Sequence, residues 1–538
     1  MNKNIITLLL VGLSVLLASC EEDFMETKST QDVEPSQVFE TTKGAMMAVN
    51  GLHKLMNQSS LTSYISYAEG GFETFMIWMD MLGEDLVFTE ANAQYQTAAR
   101  WELHRTIGSN TAYDHVAYHY RLFYNFIANA NQIIDNTDNA EGSQSEKDYI
   151  KGQAYAYRAF AYYHLVQAWG ERYKAEGNNT QLGVILRTTN STENLPRSTV
   201  EEVYTQINSD LDEAVRLLAP LNVKRENKSH IDIHVARGLK ARVLLTQGKW
   251  REAAELAQLV TDNAGAKLQD DTYTTLANRM SDQTNTEWLW GKKSQEDQAG
   301  YLSDFHSFMS NMNVSYNRNT PRAIYNLLYN RITDTDVRKK VWFPNAQDPD
   351  FEPHPVVPTS GRIRNYMANK FVLANETAKC GDVPYMRLPE MILIAAEGYA
   401  RAGRFQEAAQ ALYPLAHHRD PAYQLSAKTG NELIDEIMFQ RRVELWGEGF
   451  RWLDLKRLNL PLDRGPATRE ALGYSNAPWN SNTQMPVNVD PEASNYNMYG
   501  THPMGEENRY KAAGIKEWQW LFPNIETDVN PLCEQNPI

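Results

Sequence analysis

Cysteine is nearly absent: three residues in 538, at positions 20, 380 and 533. So few thiols exclude a disulfide framework, and the fold must rest on its core. Positive charge is also short, with 52 Lys and Arg against 67 Asp and Glu and a formal charge of −15. That balance argues against a nucleic-acid partner, because binding a phosphate backbone needs clustered Lys and Arg. Beyond residue 18, no apolar run approaches the roughly 20 residues that a membrane-spanning helix needs. The chain also lacks Gly-x-Ser-x-Gly, His-Glu-x-x-His and a phosphate-binding loop. With 67 acidic residues a carboxylate pair for glycoside hydrolysis stays open, and nothing in the sequence singles one out.

The beginning of the chain is more specific. After Lys3, an apolar run from Ile5 to Ala18 closes on Leu17-Ala18-Ser19-Cys20. Its 14 residues are too few to span a bilayer and suit the h-region of a secretory signal. Small residues directly before a cysteine resemble the lipobox of bacterial lipoproteins. We therefore expect residues 1–19 to be a signal peptide and Cys20 to carry the lipid. Each buried CH₂ of an acyl chain contributes about 0.8 kcal/mol to membrane affinity, and two chains make a stable anchor. Residues 20–38, opening on Glu21-Glu22-Asp23, read as a polar tether.

Helical periodicity begins near Thr41 and recurs at about 113–135, 146–169, 199–218, 232–247, 250–263, 389–402, 404–416 and 431–446. Two places repeat each other: Gly248-Lys-Trp-Arg-Glu-Ala-Ala and Gly403-Arg-Phe-Gln-Glu-Ala-Ala. A glycine suits the left-handed residue that ends a helix, and paired alanines let two helix axes approach. Trp250 and Phe405 are expected to wedge between the helices of each hairpin. This is the logic of a tetratricopeptide helix pair, here interrupted by long insertions. Residues 266–385 and 461–530 are rich in Asn, Asp, Pro, Gly and Tyr, with short strand-like pieces such as Glu287-Trp288-Leu289-Trp290. Long ordered loops are usually functional, which makes these insertions the expected ligand-facing half.

Several clusters invite a chemical reading and receive a structural one. In QRRVELWGEGFRWLDLKR (440–457), acids and bases three or four apart make salt-bridge ladders. His230 and His234 have i, i+4 spacing, but Asp232 is expected to cap the following helix and leave His230 outside it. His417-His418 fit a helix end, and Asp334-Thr335-Asp336 lacks the glycine and distal Glu of a calcium loop. No catalytic residue, metal ligand or cofactor is assigned.

The blocks together resemble the SusD/RagB family of surface lipoproteins that partner TonB-dependent transporters. The resemblance lies in Phe39-Glu40-Thr41-Thr42, Tyr124-x-x-Ile127-x-x-Ala130-Asn131 and Arg158 to Leu165. It continues in Leu239 to Gly248, Arg387-Leu388-Pro389-Glu390, the 440–457 block and the closing Pro523 to Pro537. It implies a mainly α fold: four tetratricopeptide-like helix pairs as scaffold, plus loop-rich insertions with short strands. The expected division is a helical part over 39–265 and a C-terminal part over 266–538, the latter comprising an insertion (266–385), helix pairs (386–460) and a loop-rich end (461–538). It further implies a non-enzymatic outer-membrane protein facing the cell exterior. Such a protein passes a glycan, or in some members a peptide, to a SusC-like TonB-dependent transporter. The alternatives are a surface glycosidase or a tetratricopeptide-type adaptor that binds protein.

A sugar site needs an exposed aromatic plane rimmed by polar groups. Setting aside tryptophans in scaffold motifs leaves Trp78, Trp101, Trp342 and Trp479. We expect Trp101, beside Arg100, to be part of an aromatic platform supported by Tyr95 or by Tyr301 of the insertion, with Tyr316 as a separate candidate. Trp78 and Trp479 are further candidates, and His306 lies in the same loop-rich segment as the two tyrosines.

Overall fold

The computed structural model describes residues 35–56, 70–88, 98, 101, 103–105, 115–221, 223–269, 280–294, 305–310, 321–342, 366–371, 381–462 and 516–538. The protein is mostly helical. The main helices are α1 (Thr42–Leu55), α2 (Phe72–Met81), α3 (His115–Asn136), α4 (Gln144–Trp169), α5 (Val200–Leu218), α6 (Ile233–Thr246), α7 (Trp250–Asn263), α8 (Leu388–Arg401), α9 (Phe405–Arg419), α10 (Gly430–Glu444) and α11 (Arg451–Arg457). They pack as the pairs α1–α3, α4–α5, α6–α7 and α8–α9, and neighbouring pairs stack through α3–α4, α5–α6 and α7–α8.

Local chemistry sets the helix ends. Ser143 and Glu146 close a capping box at the start of α4, and Thr199 with Glu202 does the same for α5. Asp232 caps α6 by accepting from the His234 and Val235 amides, so His230 does lie outside the helix, where its ring stacks on His53. Gly248 and Gly403, at φ 72° and 78°, occupy the left-handed positions that end α6 and α8. Ala253, Ala254 and Ala408 are fully buried. A Cβ on Gly398 of α8 would strike the Trp250 carbonyl and come within 2.9 Å of Ala254 Cβ, so α7 and α8 are in backbone contact. Trp250 and Phe405 are only half-buried, against the expected wedge. The small residues set the helix spacing, and Arg401 covers the outer face of the Trp250 ring.

Two short antiparallel sheets accompany the helices. Strand β1 (Leu86–Phe88) pairs with β3 (Arg322–Ile324), with Val87 opposite Ala323. Strand β2 (Trp288–Lys292) pairs irregularly with β4 (Val383–Arg387), which runs directly into α8. The end of the chain returns to the scaffold. Trp520 N donates to Ala168 O at 2.9 Å, and Asn536 Nδ2 donates to the Trp169 and Trp520 carbonyls.

Candidate ligand-binding surface

The residues between the helix pairs and the insertions form a buried ionic lattice. Arg387, at the end of β4, reaches Glu287 at 2.9 Å, Glu444 at 3.0 Å and Glu448 at 2.5 Å. Arg419 from α9 also meets Glu287 and Glu444, while Arg338 joins Glu444 to Asp336. Lys370 donates to Glu448 and to the Glu444 and Trp446 carbonyls. Burial pushes the Glu444 carboxyl up, but Arg419, Arg387 and Arg338 together hold it well below the usual carboxylate range. A second cluster joins Arg441, Asp454, Arg457 and Glu397. The 440–457 block is thus structural, but not as the expected ladder on one helix: α10 ends at Glu444, α11 begins at Arg451, and only Asp454–Arg457 pairs at helical spacing.

Asp80 on α2 differs. Its carboxylate accepts from the Gly449 amide at 2.7 Å and the Arg451 amide at 3.1 Å. Burial, the dominant effect, pushes its pKa up to about 7. A raised carboxyl can serve as a general acid when it faces a cleft. This one instead pins α2 to the turn before α11.

Two of the expected sugar contacts are core residues. Trp101 is 3% exposed, at φ 61°, with its indole N–H donating to Leu82 O at 3.0 Å. Its ring meets Trp518 edge-on at 4.9 Å. Trp78 is 1% exposed and packs against His119 and Trp520. Neither ring offers a face to a sugar, because both are buried, with Trp518 packed on one and Trp520 on the other. Trp342 is buried as well, and so is His306, whose Nε2 hydrogen-bonds the Met280 carbonyl. Tyr95, Arg100, Tyr301, Tyr316, Trp479 and Cys20 lie outside the described residues. Cys533 is a buried free thiol. His417 and His418 sit in the last turn of α9, each bonded to a backbone carbonyl.

The sequence reading missed a groove of about 600 Å³ on the scaffold itself. Three distant segments build it: α3 from Tyr120 to Gln132, the stretch 187–192, and Ile525 with Glu526 near the chain end. Its residues fall among scaffold motifs, and only the folded chain brings them together.

Residues 31–245 match the family model described as starch-binding associating with outer membrane, and residues 351–538 match that of the SusD family. The chain belongs to the SusD family. SusD-like protein P2 of Formosa agariphila is 24% identical over 487 residues, covering 84% of this chain and 90% of its own. Among solved structures, a SusD-like carbohydrate-binding protein from Bacteroides vulgatus superposes with a TM-score of 0.73 at 23% identity, over 92% of this chain and 98% of that one. Surface glycan-binding protein A from Bacteroides thetaiotaomicron, solved with laminarihexaose, reaches 0.65 at 17% identity over 92% and 99% of the two chains. These likenesses establish a shared SusD fold over 92% of the chain. SusD-family proteins are in general outer-membrane proteins of the cell surface. Among the described residues here, no helix is long and apolar enough to cross a membrane.

Proposed function

We propose that this protein is a lipid-anchored receptor of the outer-membrane surface. It captures a nutrient oligomer, a glycan in the first instance, and delivers it to a SusC-like TonB-dependent transporter. The observation that carries this reading is family membership across both halves of the chain, joined to the lipobox-like Leu17-Ala18-Ser19-Cys20. A relative of the same fold holding laminarihexaose favours a glycan over a peptide. Anchoring would fall to Cys20 after removal of residues 1–19, with residues 20–38 as tether. Acidic residues directly after the cysteine resemble the surface-export signals of such lipoproteins.

Capture would be lid-like and non-covalent. Glu287, Glu444 and Glu448, the acids nearest to an active-site pattern, each face at least two cations and are committed to holding the fold. Ligand contact would come from Tyr301, Tyr316 and Trp479 of the insertions, with Tyr95 and Arg100 of the N-terminal part as further candidates. Retention of the protein on a panel of immobilised polysaccharides, with analysis of released products, tests the reading. Binding without cleavage supports it. Cleavage would make the protein a glycosidase, and neither binding nor cleavage would favour a protein-binding adaptor.

A further inference from the structure

We infer that the scaffold groove is a second ligand site, selective for a short acidic saccharide. It stands apart from the insertion-side capture proposed above, because it is built by α3, the 187–192 stretch and the closing block.

Its walls are set in place before any ligand arrives. Asn131, fully buried, donates to the Arg187 carbonyl at 3.0 Å and accepts from Arg158 at 2.8 Å. Arg158 is in turn ion-paired with Asp210 at 2.6 Å. Tyr162 donates to the same Arg187 carbonyl, and Asn190 Nδ2 donates to Ala128 O on α3. The stretch from 187 to 190 is therefore fastened to α3 at two points and to α4 through Tyr162. A fastened wall loses little entropy when it binds.

The lining matches a sugar that carries negative charge. Tyr124 is half-buried with its hydroxyl tied to Ile185 O at 2.8 Å, so the ring is fixed as an apolar surface. The Tyr120 ring packs 4.6 Å away, and its hydroxyl lies beside that of Tyr124 without completing a hydrogen bond of its own. Asn125, Gln132 and the hydroxyls of Thr189, Ser191 and Thr192 supply the donors and acceptors that sugar hydroxyls require. The charges decide the class. Two guanidinium groups, Arg121 and Arg187, face one carboxylate, Glu526, in a chain whose formal charge is −15. Glu526 is engaged by Asn530 at 2.7 Å, and one nitrogen of Arg187 is held by the Ser191 and Glu193 carbonyls. Arg121 makes no hydrogen bond or ion pair among the described residues. A planar guanidinium without a partner is suited to a carboxylate or sulfate. A uronate or a sulfated sugar supplies such a group together with the hydroxyls.

The test is calorimetric titration of the full chain in detergent with tetragalacturonate, a λ-carrageenan tetrasaccharide and maltotetraose. Tetragalacturonate or the sulfated sugar is expected to bind more tightly than maltotetraose, and more weakly as salt rises. Which of the two binds better assigns carboxylate or sulfate. Arg121→Gln should weaken that binding on the order of tenfold, the scale of one charge-assisted hydrogen bond. Ala128→Trp, on an exposed position of the groove, should abolish it by filling the space. Both variants should keep the parent unfolding midpoint and the parent's retention on neutral polysaccharides. Loss of that retention alone would count against the insertion-side reading and not against this groove. The inference is overturned if neither acidic sugar binds at millimolar concentration, if both variants bind as the parent does, or if an oligoglutamate peptide binds equally well.

Discussion

Arg387 and Glu444 meet at 3.0 Å with neither side chain exposed to solvent. One ends the strand that leads into α8, and the other ends α10. Their contact therefore joins α10 to the β2–β4 sheet. Buried ion pairs gain little over apolar residues when intact, yet removing one partner strands the other charge. Arg387→Met should cost about 3–5 kcal/mol in urea unfolding, because Glu287, Glu444 and Glu448 all lose a counter-charge. Added salt should not rescue it, since water and ions do not reach the site. Arg216→Ala, which breaks the exposed pair with Glu213, should cost at most roughly 0.5 kcal/mol.

Trp101→Ala should behave as a core mutation, losing roughly 3–5 kcal/mol of stability. The lost contacts are the Leu82 hydrogen bond and the edge-on packing against Trp518. Retention on polysaccharides, measured well below the melting point, should be unchanged. Weakened retention with a parental melting curve would return Trp101 to the binding surface.

How much of this was legible in the sequence follows from how local each signal is. Thr41 and Asp232 cap their helices with their own side chains, and Gly248 and Gly403 end theirs, so these boundaries could be read directly. Helix α2 could not, because every residue from Phe72 to Met81 is buried and no polar face marks its period. Trp101 looked like a surface aromatic because its neighbours Arg100 and Glu102 are charged. Its actual partners, His104 and Trp518, include one some 400 residues away in sequence. The scaffold groove was hidden for the same reason: Arg121, Arg187 and Glu526 come from three separate segments.

The two glycines of the last helix pair should separate strain from crowding. A Cβ on Gly403 meets nothing within 4 Å, so Gly403→Ala should cost only the left-handed penalty, about 1 kcal/mol. Gly398→Ala drives a methyl into the Trp250 carbonyl and Ala254, and should cost about 3 kcal/mol by forcing α7 and α8 apart. Equal losses in calorimetry would contradict this account of the α7–α8 contact.

Anchoring by Cys20 predicts that Cys20→Ala abolishes fatty-acid labelling and releases the protein from membranes in cells lacking a partner barrel. Protection of the parent protein from added protease on intact cells would show that it does not face outward.

Asp80 makes the sharpest prediction on pH. Its carboxyl titrates at about 7 in the fold against 3.8 as its ordinary value, chiefly through burial, with Asp85 adding repulsion. The Gly449 and Arg451 amides and the Lys370 charge pull the other way without overcoming burial. Between these two values the native protein holds a proton that the unfolded chain has released. Its stability therefore falls as pH rises from about 4 to about 7, by up to roughly 4 kcal/mol from this group. Glu397 acts in the opposite sense but lower down, since its pKa of about 2 builds stability as pH rises towards the ordinary Glu value. Asp80→Asn removes only the first effect. The difference in urea stability, variant minus parent, should thus grow in the variant's favour from pH 4 to 7.5, whatever its sign at the start. A difference that stays flat across that window would mean that Asp80 is ionised throughout, with its two amide hydrogen bonds and Lys370 outweighing burial.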